Sequence, residues 1–132
     1  MQTTCVGLQD PGGTISKSGR SSTGSLTELD LIAAVTVPDP GAHHITDFQF
    51  SAAKGAAGTI FRLYGRASSS ASWTQIDDFE MGDYGVFTVT LGVSHKFKAN
   101  EQWKLTVQQT TIARCAARVG GQAKGVDVRD FS

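Results

Sequence analysis

Cysteine is nearly absent from this sequence, with Cys5 and Cys115 the only two in 132 residues. Two cysteines build no disulfide framework, and neither stands in a Cys-x-x-Cys pattern, so zinc-ribbon and dithiol redox chemistry are excluded. Cys115 lies in a strand-like run and reads as a small buried hydrophobe. Cys5 falls in a polar arm, and spacing alone does not say whether the two thiols come within bridging distance. Wholly apolar runs are short, as at Ile32 to Val35, which excludes a membrane-spanning helix and makes no membrane partner expected. The opening MQTTCVGLQDPGG has neither a basic flank nor an apolar stretch of signal-peptide length, so no signal peptide is expected. Charge of one sign is lacking too: 12 basic residues cancel 12 acidic ones, and no global field draws the chain to nucleic acid.

The residue groupings that carry catalysis are equally scarce. His43 and His44 are adjacent, so on a strand they point to opposite faces and do not share a metal; they read as loop-edge imidazoles after a Pro-rich turn. His95, beside Lys96, is expected to face solvent. The acidic DDFEMGD run lacks the D-x-D-x-D-G spacing and distal Glu of an EF-hand, and reads as a charged hairpin edge that discourages sheet-to-sheet aggregation. Neither G-x-S-x-G nor a lysine-bearing phosphate loop occurs. No enzyme activity, cofactor or metal is expected.

What is present is alternation. Residues 1 to 25 form a Gly/Ser/Thr-rich segment too poor in apolar residues to order alone, and are expected to be an extended arm. Thr14 and Ile15 there are suited to a short edge strand, with ordering only on a partner as the alternative. From residue 26 to 132 the chain reads as one domain. LTELDLIAAVTVP, HITDFQF, TIFRLYGRA, WTQIDDF, GVFTVTLGV, EQWKLTVQQT and ARCAARVG each place apolar side chains on one parity. Gly120 and Gly121 are expected to end the seventh run, and QAKGVDVRDF to supply a last strand. The serine gap in GRASSSAS has too little chain on either side to separate two cores, so it reads as a hairpin tip. No window shows sustained helical spacing. Eight or so strands with turns at intervals near ten residues imply an all-β, antiparallel β-sandwich of jelly-roll type.

Two features bear on contacts. Asp77, Asp78, Glu80 and Asp83 cluster, whereas Lys96, Lys98, Lys104, Arg114, Arg118 and Lys124 meet only Glu101 in their stretch. Solvated faces of opposite sign are the plain reading, and head-to-tail contact between copies the sharper one. Among the aromatics, Trp103 is in phase with Leu105 and Val107 and reads as core. Tyr64, Trp73 and Tyr84 are the candidates for stacking a sugar, with Trp73 at the end of the serine tip the best placed for an exposed contact.

Residues 26 to 131 look like a small viral-type jelly roll. With the polar arm, the run GTIFRLYGRASSSASWTQIDDFEM and the late FKANEQWKLTV, the chain resembles the head decoration, or cement, proteins of tailed bacteriophages. The resemblance implies a homodimer or homotrimer, made in the host cytoplasm, that sits on the outer surface of the virion and bridges subunits of the major capsid protein. It carries no catalytic residues. On this reading Thr14, Ile15, Lys17 and Arg20 in the arm meet the capsid, and Ser69, Ser70 and Trp73 form an exposed tip. The alternatives are a carbohydrate- or receptor-binding module of a fibre or tail using Tyr64, Trp73 and Tyr84, and a cupin-type metalloenzyme, which needs a His/Glu ligand cluster that the sequence does not display.

Overall fold

The computed structural model describes residues 13–53, 58–82 and 85–124. They form eight strands and, among the described residues, no helix: β1 (Gly13–Ser21), β2 (Leu29–Thr36), β3 (Ala42–Ala52), β4 (Thr59–Arg66), β5 (Thr74–Met81), β6 (Gly85–Lys98), β7 (Gln102–Gln108) and β8 (Cys115–Lys124). The alternation that predicts them is also what buries them. In β4 every second residue, Thr59, Phe61, Leu63 and Gly65, is buried, while Ile60, Arg62, Tyr64 and Arg66 stay partly open to solvent.

The antiparallel pairs β1–β8, β2–β7, β3–β6 and β4–β5 are successive rungs of one long two-stranded ribbon. Its far end is the serine-rich turn between β4 and β5. Rolling that ribbon up brings β8 beside β3 and β7 beside β4, which closes two four-stranded sheets, β1-β8-β3-β6 and β2-β7-β4-β5. This is the expected jelly-roll sandwich.

The sheets are joined by aromatic packing. Phe50 stacks on Phe61 at 4.4 Å between ring centroids and meets Phe48 at 5.6 Å and Phe79 at 5.2 Å, tying β3 to β4 and β5. Trp103, fully buried as its phase predicts, sits near Phe97 and His43.

Several local expectations are corrected. Gly13–Ser21 is a full strand paired with β8, with Ile15 in the core, so this part of the proposed arm belongs to the sandwich. Residues 1–12 lie outside the described residues. Gly120 and Gly121 do not end a strand; β8 runs through them to Lys124. They sit where β3 bulges between Ile45 and Asp47, and a Cβ on either would collide with the Asp47 carboxylate or the His44 carbonyl. Glycine is what lets the ladder continue there. Residues 125–132, which include most of the last expected strand, lie outside the described residues.

His43 is not a loop-edge group but a buried member of β3, because the strand starts at Ala42, directly after the Pro-rich turn. His95 is on the inward parity of β6, and its Nε2 lies 3.0 Å from an Asp77 carboxylate oxygen across the open edge between the sheets. Lys96 takes the solvent side instead. Between Thr90 and His95 β6 advances five residues while β3 advances two, and this bulge throws Val93 out of the inward row to 82% exposure.

Candidate functional site

Alternation leaves each sheet one outward face, and the two faces differ in charge chemistry. On β2-β7-β4-β5 the cations are engaged by neighbouring side chains. Lys104 Nζ lies 3.0 Å from Asp30, and Arg62 lies 3.5 Å from Glu28 while donating to Gln108 at 2.9 Å. Glu28 also accepts from the Tyr64 hydroxyl at 2.6 Å and from Thr106. Partial burial works against the Glu28 carboxylate, but these two hydrogen bonds and the Arg62 charge outweigh it and hold its pKa below the usual range. The same burial and the bond to Glu28 push the Tyr64 phenol up. Arg66 donates to Gln102 at 2.7 Å, and Gln102 in turn donates to Thr36.

On β1-β8-β3-β6 the charges are left open. The ladder registers set outward residues in rows across the sheet: Arg20, Ala116, Ser51 and Val86 in one, Ser18, Arg118, Gln49 and Thr88 in the next, and His44 beside Lys96 and Gln122 further along. Lys98 and Lys124 flank Ala42 at the end of the sheet. Arg20, Arg118, Lys96, Lys98 and Lys124 are all exposed, and none has an ion pair or a side-chain hydrogen bond among the described residues. Among the described residues the acid on this face is Asp47. His44 registers the imbalance, since partial burial and then the Lys96 and Lys124 charges push its pKa down.

The first two rows frame a trough. Two adjoining hollows of about 620 and 640 Å³ share Arg20, Ser51, Val86 and Ala116, so the depression runs across the strands. Arg118 stands on one wall and Arg114 on the other, and the floor is Ala116 and Ser51. Crossing four strands makes it roughly 14 Å long.

The residues singled out in the sequence fall as follows. Thr14 and Arg20 point outward from β1 at its opposite ends, and Ile15 is in the core, so only its main chain is offered along the free edge. Lys17 lies at the opening between β1 and β2, close enough for its charge to act on His43. Ser69 and Ser70 are exposed on the β4–β5 turn. Trp73 is half-buried: the Arg66 guanidinium lies 4.1 Å and the Lys104 ammonium 4.8 Å from its ring centroid. Lys104 is also 5.6 Å from the Tyr64 ring, so the fold does bring Tyr64 and Trp73 together, with cations over the rings. Tyr84 lies outside the described residues. Cys115 is a buried free thiol with its pKa raised by burial; Cys5 lies outside the described residues.

Arg114, Arg118, Lys96, Lys98 and Lys124 were visible in the sequence as a basic bias, but not as a surface. The missing signal is register: only the β8–β3–β6 ladder sets Lys98 and Lys124, 26 positions apart in sequence, on either side of Ala42. Among the described residues no group of three or more His, Cys, Asp or Glu side chains is placed to hold a metal ion.

Fold and surfaces together define an eight-stranded jelly-roll sandwich with one face whose cations are engaged and one whose cations are left open. No protein-family model matches the chain, and no curated protein matches it in sequence. Among solved structures it is similar to the Yersinia pseudotuberculosis-derived mitogen, at 7% identity and a TM-score of 0.45 over 81% of this chain and 84% of that one. It is similar to a protein of the disulfide-linked pili of Bacillus endospore appendages, at 12% identity and 0.46 over 90% and 94%. A third likeness is to the virus-like particle of the extra small virus of the prawn Macrobrachium rosenbergii, at 9% identity and 0.39 over 86% and 78%.

Proposed function

We propose that the chain is a structural virion protein that decorates a phage head and stabilises it by bridging major capsid subunits. The observation that carries this reading is the unneutralised basic face of β1-β8-β3-β6 next to the free edge of β1. An edge strand offers main-chain donors and acceptors to a neighbouring sheet, and exposed cations beside it orient an acidic partner surface. The attachment contacts are Thr14, Lys17 and Arg20 with the main chain at Ile15, together with residues 1–12. The turn at Ser69 and Ser70 faces away from the shell. Individually weak contacts suffice, because a lattice holds many copies at high effective concentration. The chain acts as a homodimer or homotrimer on the outer capsid surface and performs no catalysis.

Co-sedimentation with heads assembled from a tailed-phage major capsid protein tests the proposal. Wild type should pellet with the heads, while a form starting at Gly13 and the variant Lys17→Glu should remain in the supernatant with unchanged circular dichroism. Failure of the wild type to pellet would overturn it.

A further inference from the structure

The net charge of zero conceals a separation. The cations on the β2-β7-β4-β5 face are engaged: Arg62 with Glu28, Lys104 with Asp30, Arg66 with Gln102. Asp77 is taken by His95, Asp39 by Asn100, and Glu101 by the Lys98 amide. What remains open on one side is the arginine-walled trough. What remains open on the other is Asp78 and Glu80, exposed on β5, whose carboxylates have no partner among the described residues.

We infer that the trough walled by Arg20, Arg114 and Arg118 receives the acidic β5 edge of a second copy of the chain, in a head-to-tail contact. Spacing and charge favour this occupant. β5 is the outermost strand of its sheet, and Asp78 and Glu80 are exposed on its outward face, opposite Arg62 and Ile60 of β4, while the trough is a depression floored by Ala116 and Ser51. The two carboxylates are two residues apart on one face of a strand, about 7 Å. Arg20 and Arg118 are one strand and two residues apart, about 8 Å on the diagonal. Each guanidinium therefore meets one carboxylate in the planar two-bond geometry that arginine favours. Basic and acidic elements lie on different parts of the molecule, so the contact is heterologous and propagates around a ring or along a row of copies. Exposed ion pairs of this kind are individually weak. The association is accordingly weak in solution and strengthens when copies are held side by side. The inference does not rest on capsid attachment, because copies meet without a shell.

Sedimentation velocity on the full chain tests it, with two charge-reversal variants on outward-facing positions: Arg20→Glu/Arg118→Glu, and Asp78→Lys/Glu80→Lys. Wild type should self-associate at about 0.1 M salt and lose at least tenfold in association constant at about 1 M, where the screening length falls from ~10 to ~3 Å. Each variant alone should stay monomeric, with wild-type circular dichroism. An equimolar mixture of the two should associate again, since the reversed trough of one then meets the reversed edge of the other. A wild type that stays monomeric at low salt, including one that instead binds a sulfated polysaccharide, would overturn the inference. So would a mixture that fails to associate while both variants are folded.

Discussion

Acidification should weaken this fold through a single buried histidine. The Trp103 indole N–H donates to His43 Nδ1 at 3.1 Å, and both side chains are buried. Nδ1 must therefore carry a lone pair, which leaves the proton of the neutral ring on Nε2. A second proton can enter only at Nδ1, where it would face the indole N–H and destroy the bond. Burial first, and then the Lys17 charge, push the His43 pKa below 6.5. The unfolded chain thus takes up this proton before the folded one does. The stabilisation is complete above pH 6.5 and is lost as pH falls from there to the folded-state value. Losing one buried hydrogen bond and leaving its donor unsatisfied costs about 1 to 3 kcal/mol. Down to pH 5 one group with an unfolded value of 6.5 loses at most about 2 kcal/mol by proton linkage, so with an unfolding entropy of roughly 2.1 cal/mol/K per residue over this chain, Tm should drop by about 4 to 7 °C. Calorimetry between pH 7.5 and 5 measures this above the range in which Glu28 titrates. His44→Gln controls for the other down-shifted histidine, and His43→Gln should flatten the remaining slope. Imidazole nitrogen NMR reads the tautomer directly. A Tm independent of pH over this interval, or a proton on Nδ1 in the folded protein at pH 7.5, would refute the reasoning.

Other perturbations have equally definite outcomes. Phe50→Ala removes the ring that stacks between Phe48, Phe61 and Phe79, and should cost about 3 to 5 kcal/mol by chemical denaturation. Gly121→Ala should cost about 1 to 3 kcal/mol, because its Cβ presses on the His44 main chain rather than on a movable side chain. Glu28→Gln should cost about 1 kcal/mol after allowance for its partial exposure. It should also remove the stability that wild type loses as pH falls below 4.5, the ordinary value from which the folded-state pKa is lowered. Trp73→Ala should cost about 1 kcal/mol through the lost contacts with Arg66 and Lys104, and leave self-association unchanged.

Alternation made the sandwich legible in the sequence, and it did so best where strands are regular, as in β4 and β7. It failed where the partner strand imposes the local geometry. The break expected at Gly120 and Gly121 is a passage, because the reason for those glycines lies in the β3 bulge and not in β8 itself. Phe87, Val89, Leu91 and Val93 share a parity in the sequence, but the β6 bulge puts Val93 into solvent. The polar segment before residue 26 looked too poor in apolar side chains to order. It orders in part because Ile15 enters the core and Gly19 lets β1 approach the Leu31 carbonyl closely. The surface was the least legible part. Which cations are neutralised depends on register, so Lys104, in the basic stretch of sequence, is paired with Asp30, whereas Arg118 is left open.

A reconstruction of phage heads carrying the bound protein tests the central claim most directly. The free edge of β1 should lie against the shell between neighbouring capsid subunits, with the β4–β5 turn pointing outward. Ordered density with β1 turned away from the shell would contradict it.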